Sequence, residues 1–167
     1  NPEIYEPILD ALATGPRSVE QLLHAPATAA IGMERLRQAL TVLVGMQVLS
    51  PCLDAGGEAR RMDRTRVINT LSLERAQRKA VGAWIASPVT GNGVSVAGVA
   101  QSFLLGRHRG HENIAECAWQ HMQEKGLQLK ADDKKLETRE EILAELRNNA
   151  DRFNEETVPV YKNLGIA

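Results

Sequence analysis

Aromatic residues are scarce in this sequence: two Trp, two Tyr and two Phe make up 4% of 167 residues. A core must therefore be assembled mainly from Leu, Val, Ile and Ala, which favours helix packed on helix over a large β-sandwich. Cysteine is scarcer still. Cys52 and Cys117 lie far apart and form no CxxC pair. Free thiols in a reducing compartment are expected, rather than a disulfide framework or a thiolate metal site. No apolar run approaches the roughly 20 residues that span a bilayer, and no charged-then-apolar leader opens the chain. A cytoplasmic protein with no membrane partner is expected. A surplus of either charge is also lacking. Net charge is −1, with 7 Lys/Arg against 8 Asp/Glu in residues 1–69 and 13 against 13 in residues 70–167. Neither part has the basic excess of a nucleic-acid binder.

What is present is hydrophobic and periodic. Hydrophobic residues make up 43% of the chain, and a chain of this size typically buries roughly 70% of the surface its unfolded form exposes. No metal or disulfide staple is needed. Ile4, Ile8, Leu9 and Leu12 share one helix face, with Pro7 as a candidate late start. Ser18 and Gln21 read as a capping box before a short helix, Val19–His24. A third helix is predicted from Met33 to Gly45, with Met33, Leu36, Leu40, Leu43 and Val44 inward. Val48-Leu49 starts an extended stretch, Ala55-Gly56-Gly57 reads as a turn, and Arg64–Thr70 alternates like a returning strand. Three helices followed by a two-stranded ribbon is the winged-helix order. The expected fold is thus mainly α with small β ribbons: a winged-helix-like subdomain over 1–69, packed on a helical subdomain over 70–167.

In the second part, Ser72–Trp84 reads as helix and Gly91-Asn92-Gly93 as a loop. Helices are predicted near 97–105 and 112–125, the latter closed by Gly126. Leu127–Lys130 and Lys135-Leu136 are placed to pair across Asp132-Asp133 in a small hairpin. Thr138 and Glu141 form a second capping box, opening a helix to about Arg152 with Ile142, Leu143 and Leu146 inward. Phe153, Val158, Val160, Tyr161 and Leu164 follow as a terminal packing segment. With no Gly/Ser-rich linker near residue 69, and with Val67, Ile68, Leu71 and Leu73 running across it, the boundary is expected to be packed.

Candidate site residues are few. Arg35 and Arg37 lie on the exposed face of the third helix, where a winged helix would meet the major groove; Glu34 beside them would repel phosphate. Arg60, Arg61, Arg64 and Arg66 are the densest positive cluster and could face phosphates or an acidic partner. Gly91-Asn92-Gly93 has neither the Lys-Ser/Thr pair of a phosphate loop nor the third glycine of a dinucleotide fingerprint, so a turn needing positive φ is the better reading. His108 and His111 are spaced for one helix face, but Gly106 and Gly110 suggest a loop and the flanking arginines oppose a cation, so no metal is expected. No Ser, Cys or His has a neighbour that suggests an activated nucleophile.

The phrase Ala86-Ser87-Pro88-Val89-Thr90-Gly91-Asn92-Gly93-Val94 resembles one found after the catalytic domain in bacterial class I S-adenosylmethionine-dependent methyltransferases that carry a methyltransferase regulatory domain. The likeness continues through Gln101–Leu105, resumes at Gly126, Thr138–Glu141 and Asn149–Phe153, and closes on Val158–Ile166 with its Leu-Gly-Ile ending. It covers nearly the whole chain. The glycine-rich cofactor loop and the acidic residue of that family's catalytic domain do not stand here. The resemblance implies a non-catalytic accessory region that recognises a protein substrate or contacts a catalytic domain in cis. S-adenosylmethionine is then expected in that other domain, with no cofactor and no catalytic residue in this chain. Ser87, Pro88, Gly91 and Gly93 are expected to be structural, and the arginines to offer an interaction surface. The alternatives are a winged-helix DNA-binding transcription regulator and a small enzyme with a pocket between its two parts.

Overall fold

A computed structural model describes residues 2–54, 56–79, 81–131 and 134–167. The chain divides into two units, Asn1–Cys52 and Leu53–Ala167, so the division falls at Cys52 and not at Asn69. The first unit holds three helices: α1 (Pro2–Ala13), α2 (Val19–His24) and α3 (Met33–Gly45), with a 3-10 turn over Ala29–Ile31. Ile8, Leu22, Leu36, Ala39 and Leu43 form its core. The capping box at α2 is present: Ser18 Oγ accepts from the Gln21 amide at 3.1 Å and Gln21 Oε1 accepts from the Ser18 amide at 2.8 Å. Helix α1 begins before Pro7 and runs through it, because Ile4 and Tyr5 already pack against the core. Met33 and Val44, expected inward, are exposed, and Ala39 takes the inward place. Each helical position turns by about 100°, which carries Val44 past the buried edge set by Leu43.

In the second unit the expected returning strand is replaced by helix. α4 runs without a break from Glu58 to Lys79 and contains all of Arg64–Thr70. Among the described residues of 1–69 there is no strand, so the winged-helix arrangement lacks its wing. The β-branched residues Thr65, Val67, Ile68 and Thr70 mimic a strand locally. The helix prevails because Asn69, Leu73 and Ala76, spaced by four and three, bury one continuous face. No Gly or Pro interrupts the segment, and Glu58 at its start with Arg78 and Lys79 at its end suit the helix dipole.

The helix expected over Ser72–Trp84 therefore starts earlier and stops at Lys79, and Trp84 belongs to a strand. β1 (Ala83–Ala86) pairs antiparallel with β2 (Gly93–Val96), Ala83 opposite Val96 and Ala86 opposite Gly93. The open edge of β1 is closed by a side chain. Asn69, buried within α4, accepts from the Ala86 amide at 2.7 Å and donates Nδ2–H to the Ala86 carbonyl at 2.8 Å. One carboxamide thus satisfies both backbone groups that an edge residue leaves open.

Helices α5 (Ala100–His108), α6 (Ile114–Lys125), α7 (Arg139–Arg152) and α8 (Val158–Asn163) complete the unit. Gly126 caps α6 at φ +62°, and Thr138 with Glu141 boxes the start of α7. Hydrogen bonds from Thr138 and the Glu137 amide hold the Glu141 carboxyl below its usual range. β3 (Lys130–Ala131) pairs with β4 (Lys134–Lys135), as the sequence predicts; the connecting Asp132-Asp133 lies outside the described residues. Between α7 and α8 a π-helical turn over Phe153–Thr157 turns Phe153 inward. There Phe103 and Phe153 meet tilted and Phe153 and Tyr161 meet edge to face, with centroids 5.6 Å and 6.0 Å apart, so half of the few aromatics meet in one core with Leu73, Ile85, Leu104 and Leu146. No helix among the described residues is long and apolar enough to cross a membrane.

Candidate functional site

The loop between β1 and β2 is a tight turn organised by Ser87. Its amide donates to the Asn92 carbonyl at 2.9 Å, its carbonyl accepts from the Gly91 amide at 2.9 Å, and its Oγ accepts from the amides of Val89 and Thr90. Gly91 has φ +74°, the positive-φ turn expected there, while Gly93 opens β2. The same Ser87 hydroxyl donates to the Leu164 carbonyl at 2.7 Å, across 77 residues of chain. Gly165 lies against Pro88 so closely that a Cβ on it would stand 2.7 Å from Pro88 Cγ. The turn and the Leu-Gly-Ile segment, remote in sequence, are one packed unit.

Arg61 and His108 tie further segments to this centre. Arg61 donates Nε–H to the Pro88 carbonyl at 2.9 Å, Nη1 to Gly56 at 2.8 Å and Nη2 to Asp54 at 2.6 Å, so its guanidinium clamps the turn before α4 onto the β1–β2 loop. His108 ends α5 in regular helix, not in the loop suggested by its glycines. Gly106 is buried within that helix, and a Cβ on it would stand 3.2 Å from Ile114 Cγ2. The His108 Nε2–H donates to the Ile166 carbonyl at 2.8 Å, and Nδ1 stands 3.0 Å from Thr70 Oγ1 on α4. Burial pushes the His108 pKa down. The Ile166 hydrogen bond opposes this, and the charges of Arg66 and Arg107 add to the lowering. A neutral imidazole with both nitrogens engaged holds α4 and the terminal segment in register.

Beside these tethers lies a cleft of about 390 Å³, lined by Asp63, Arg66, Arg107, His108, His111 and Glu112 together with Gly165 and Ile166. Its charges are mixed, two arginines against two carboxylates. Arg66 donates to the His108 carbonyl at 3.4 Å, and Arg107 Nη1 to Asn154 at 3.2 Å. Among the described residues no group of three or more His, Cys, Asp or Glu could hold a metal ion.

The arginines of the expected interaction surface thus separate. Arg61 and Arg66 are engaged within the fold. Arg60 and Arg64 are exposed on α4, with no partner among the described residues. Arg37 pairs with Glu34 at 2.8 Å on α3, and Arg35 lies exposed on the same helix. Sequence reasoning missed Asn69 and His108 as tethers. Asn69 carried a signal, standing four residues before Leu73 and seven before Ala76 on a helical face. His108 carried none, because its partners are backbone groups far along the chain.

The mostly helical unit with two small antiparallel ribbons can be set beside known proteins. The chain is 29% identical over 165 residues to an uncharacterized protein of Synechocystis sp. (strain PCC 6803), a match covering 99% of this chain and 32% of the relative. It therefore spans about a third of the length of that relative. No family model and no solved structure matches the chain.

Proposed function

We propose that this chain is a non-catalytic accessory region of an S-adenosylmethionine-dependent methyltransferase, serving protein-substrate recognition or contact with the catalytic domain. The observation that carries the reading is the meeting of two phrases that resemble the methyltransferase regulatory family. Ser87 and Pro88 of the first bind and pack Leu164 and Gly165 of the second. Two phrases that depend on each other in the fold are expected to be retained together, which makes their joint likeness weigh more than either alone. A match over a third of a longer relative suits a region that works beside other domains. In this reading the cofactor binds outside these residues, and the family phrases build the scaffold.

The test is calorimetric titration of the chain with S-adenosylmethionine, followed by assay of the catalytic portion of the parent protein with and without this chain. No heat of binding to the chain is expected, together with altered methylation of a protein substrate when the chain is present. Micromolar cofactor binding by the chain itself, or methylation indifferent to it, overturns the proposal.

A further inference from the structure

One face of α4 is left open in an unusual way. Val67, Ile68 and Leu71 are 61%, 59% and 58% exposed, and they share a face by their spacing of one, three and four. Only Leu73 of the apolar residues around position 69 turns into the core. Arg64 and Arg75 lie among the three on the same face, also exposed and without a partner among the described residues. The nearby acids point elsewhere: Glu74 pairs with Arg109 at 2.7 Å, and Asp63 lines the His108 cleft. The face is therefore apolar and purely cationic.

Trp84 continues it. Ala83 and Ile85 of β1 face the core, so the indole between them stands on the outer side of the ribbon, 69% exposed. It covers Gly93, where an added Cβ would lie 3.3 Å from indole Cε3. Ser72 Oγ donates to the Trp84 carbonyl at 2.9 Å, and Ile68 and Arg75 are the helical neighbours of Ser72 at i−4 and i+3. The Ser72 bond brings the edge of β1 that carries Trp84 alongside α4. Trp and Arg are the residues on which protein interfaces concentrate their binding energy.

We infer that the outer face of α4 with Trp84 docks an acidic amphipathic segment of a protein partner, its apolar side chains on Val67, Ile68, Leu71 and Trp84 and its carboxylates on Arg64 and Arg75. The placement of the arginines selects this occupant over a lipid surface. A membrane-lying helix segregates its cations from its apolar face, whereas here two guanidiniums sit within that face. A planar guanidinium beside apolar surface suits bidentate pairing with a carboxylate. The inference rests on the accessory-region reading only in expecting a protein partner, and names the surface and its chemistry.

The probe is a labelled helical peptide of about 18 residues, with Leu at i, i+3, i+4 and i+7 spacing and Glu flanking the stripe. The full chain is titrated against it by fluorescence anisotropy. The expected result is saturable binding that weakens between about 0.05 M and 0.5 M salt. Binding should fall by about ten-fold or more in Leu71→Glu and in Arg64→Glu/Arg75→Glu, with helicity by circular dichroism unchanged. The same peptide with Lys for Glu should not bind. Equal binding of both peptides, binding of neither, retention of affinity in both variants, or uptake by phosphatidylserine vesicles without peptide binding would each overturn the inference. Failure here with methylation still dependent on the chain removes this surface and leaves the accessory reading standing. Peptide binding with methylation indifferent to the chain does the reverse.

Discussion

At the scale of single residues, Gly165 is the most tightly confined glycine among the described residues. Its φ of +67° disfavours an L side chain, and Pro88, fully buried, occupies the space a Cβ would need. Neither cause is visible in the words Leu-Gly-Ile, since one depends on a turn after α8 and the other on a loop dozens of residues away. Gly165→Ala is expected to cost about 2–4 kcal/mol, combining left-handed strain with overpacking. Denaturant unfolding checks this, and a variant within 0.5 kcal/mol of the parent, the usual range of a neutral surface change, would show that the segment moves aside freely. Ser87 resembles Gly165 in this respect. Sequence places it correctly in a turn, but its bond to the Leu164 carbonyl comes from tertiary packing.

At the scale of elements, α4 separates what was legible from what was not. Local alternation over Arg64–Thr70 reads as a strand because four β-branched residues fall within it. A longer window, through Leu73 and Ala76, contains the helical period that the structure uses. Asn69 makes the difference concrete, since its side chain does for β1 what a neighbouring strand would do. Asn69→Leu is expected to cost about 2–4 kcal/mol by orphaning the Ala86 amide and carbonyl. Asn69→Asp sets a sharper test. A buried carboxylate facing the Ala86 carbonyl has its pKa raised above the unfolded value of about 3.9. The protonated acid can donate to that carbonyl, so this contribution is fully present below the unfolded pKa and is lost as pH rises through the folded one. Chemical denaturation at several pH values should show the gap between Asn69→Asp and the parent narrowing toward acid. A gap independent of pH would place the side chain in water.

At the scale of the whole molecule, the division at Cys52 gives each unit its own core, small in the first and extensive in the second. Residues 53–167 hold all of α4, the Arg61 clamp and the Asn69 bridge. They are expected to fold alone, with a cooperative thermal transition and strong helical dichroism. Residues 70–167 lose Arg61, Asn69 and the first half of α4, leave β1 with an open edge, and are expected to lack such a transition. Comparing the two fragments by calorimetry tests the boundary directly. A cooperative transition in 70–167 equal to that of 53–167 would restore the division at Asn69 that the winged-helix order suggested.

The sequence by itself determined the caps of α2, α6 and α7 and the α7 core face, because each is encoded within one or two turns of chain. Ser18 with Gln21, Thr138 with Glu141 and Gly126 are satisfied by their own neighbours. It also determined that no glycine-rich cofactor loop stands here. Only the tertiary structure decided that Arg64–Thr70 is helix, that Arg61 and His108 serve the fold, and that Val67, Ile68, Leu71 and Trp84 remain open together. Each of those outcomes depends on which surface β1 and the terminal segment cover, and a surface assembled from chain segments dozens of residues apart has no local signature.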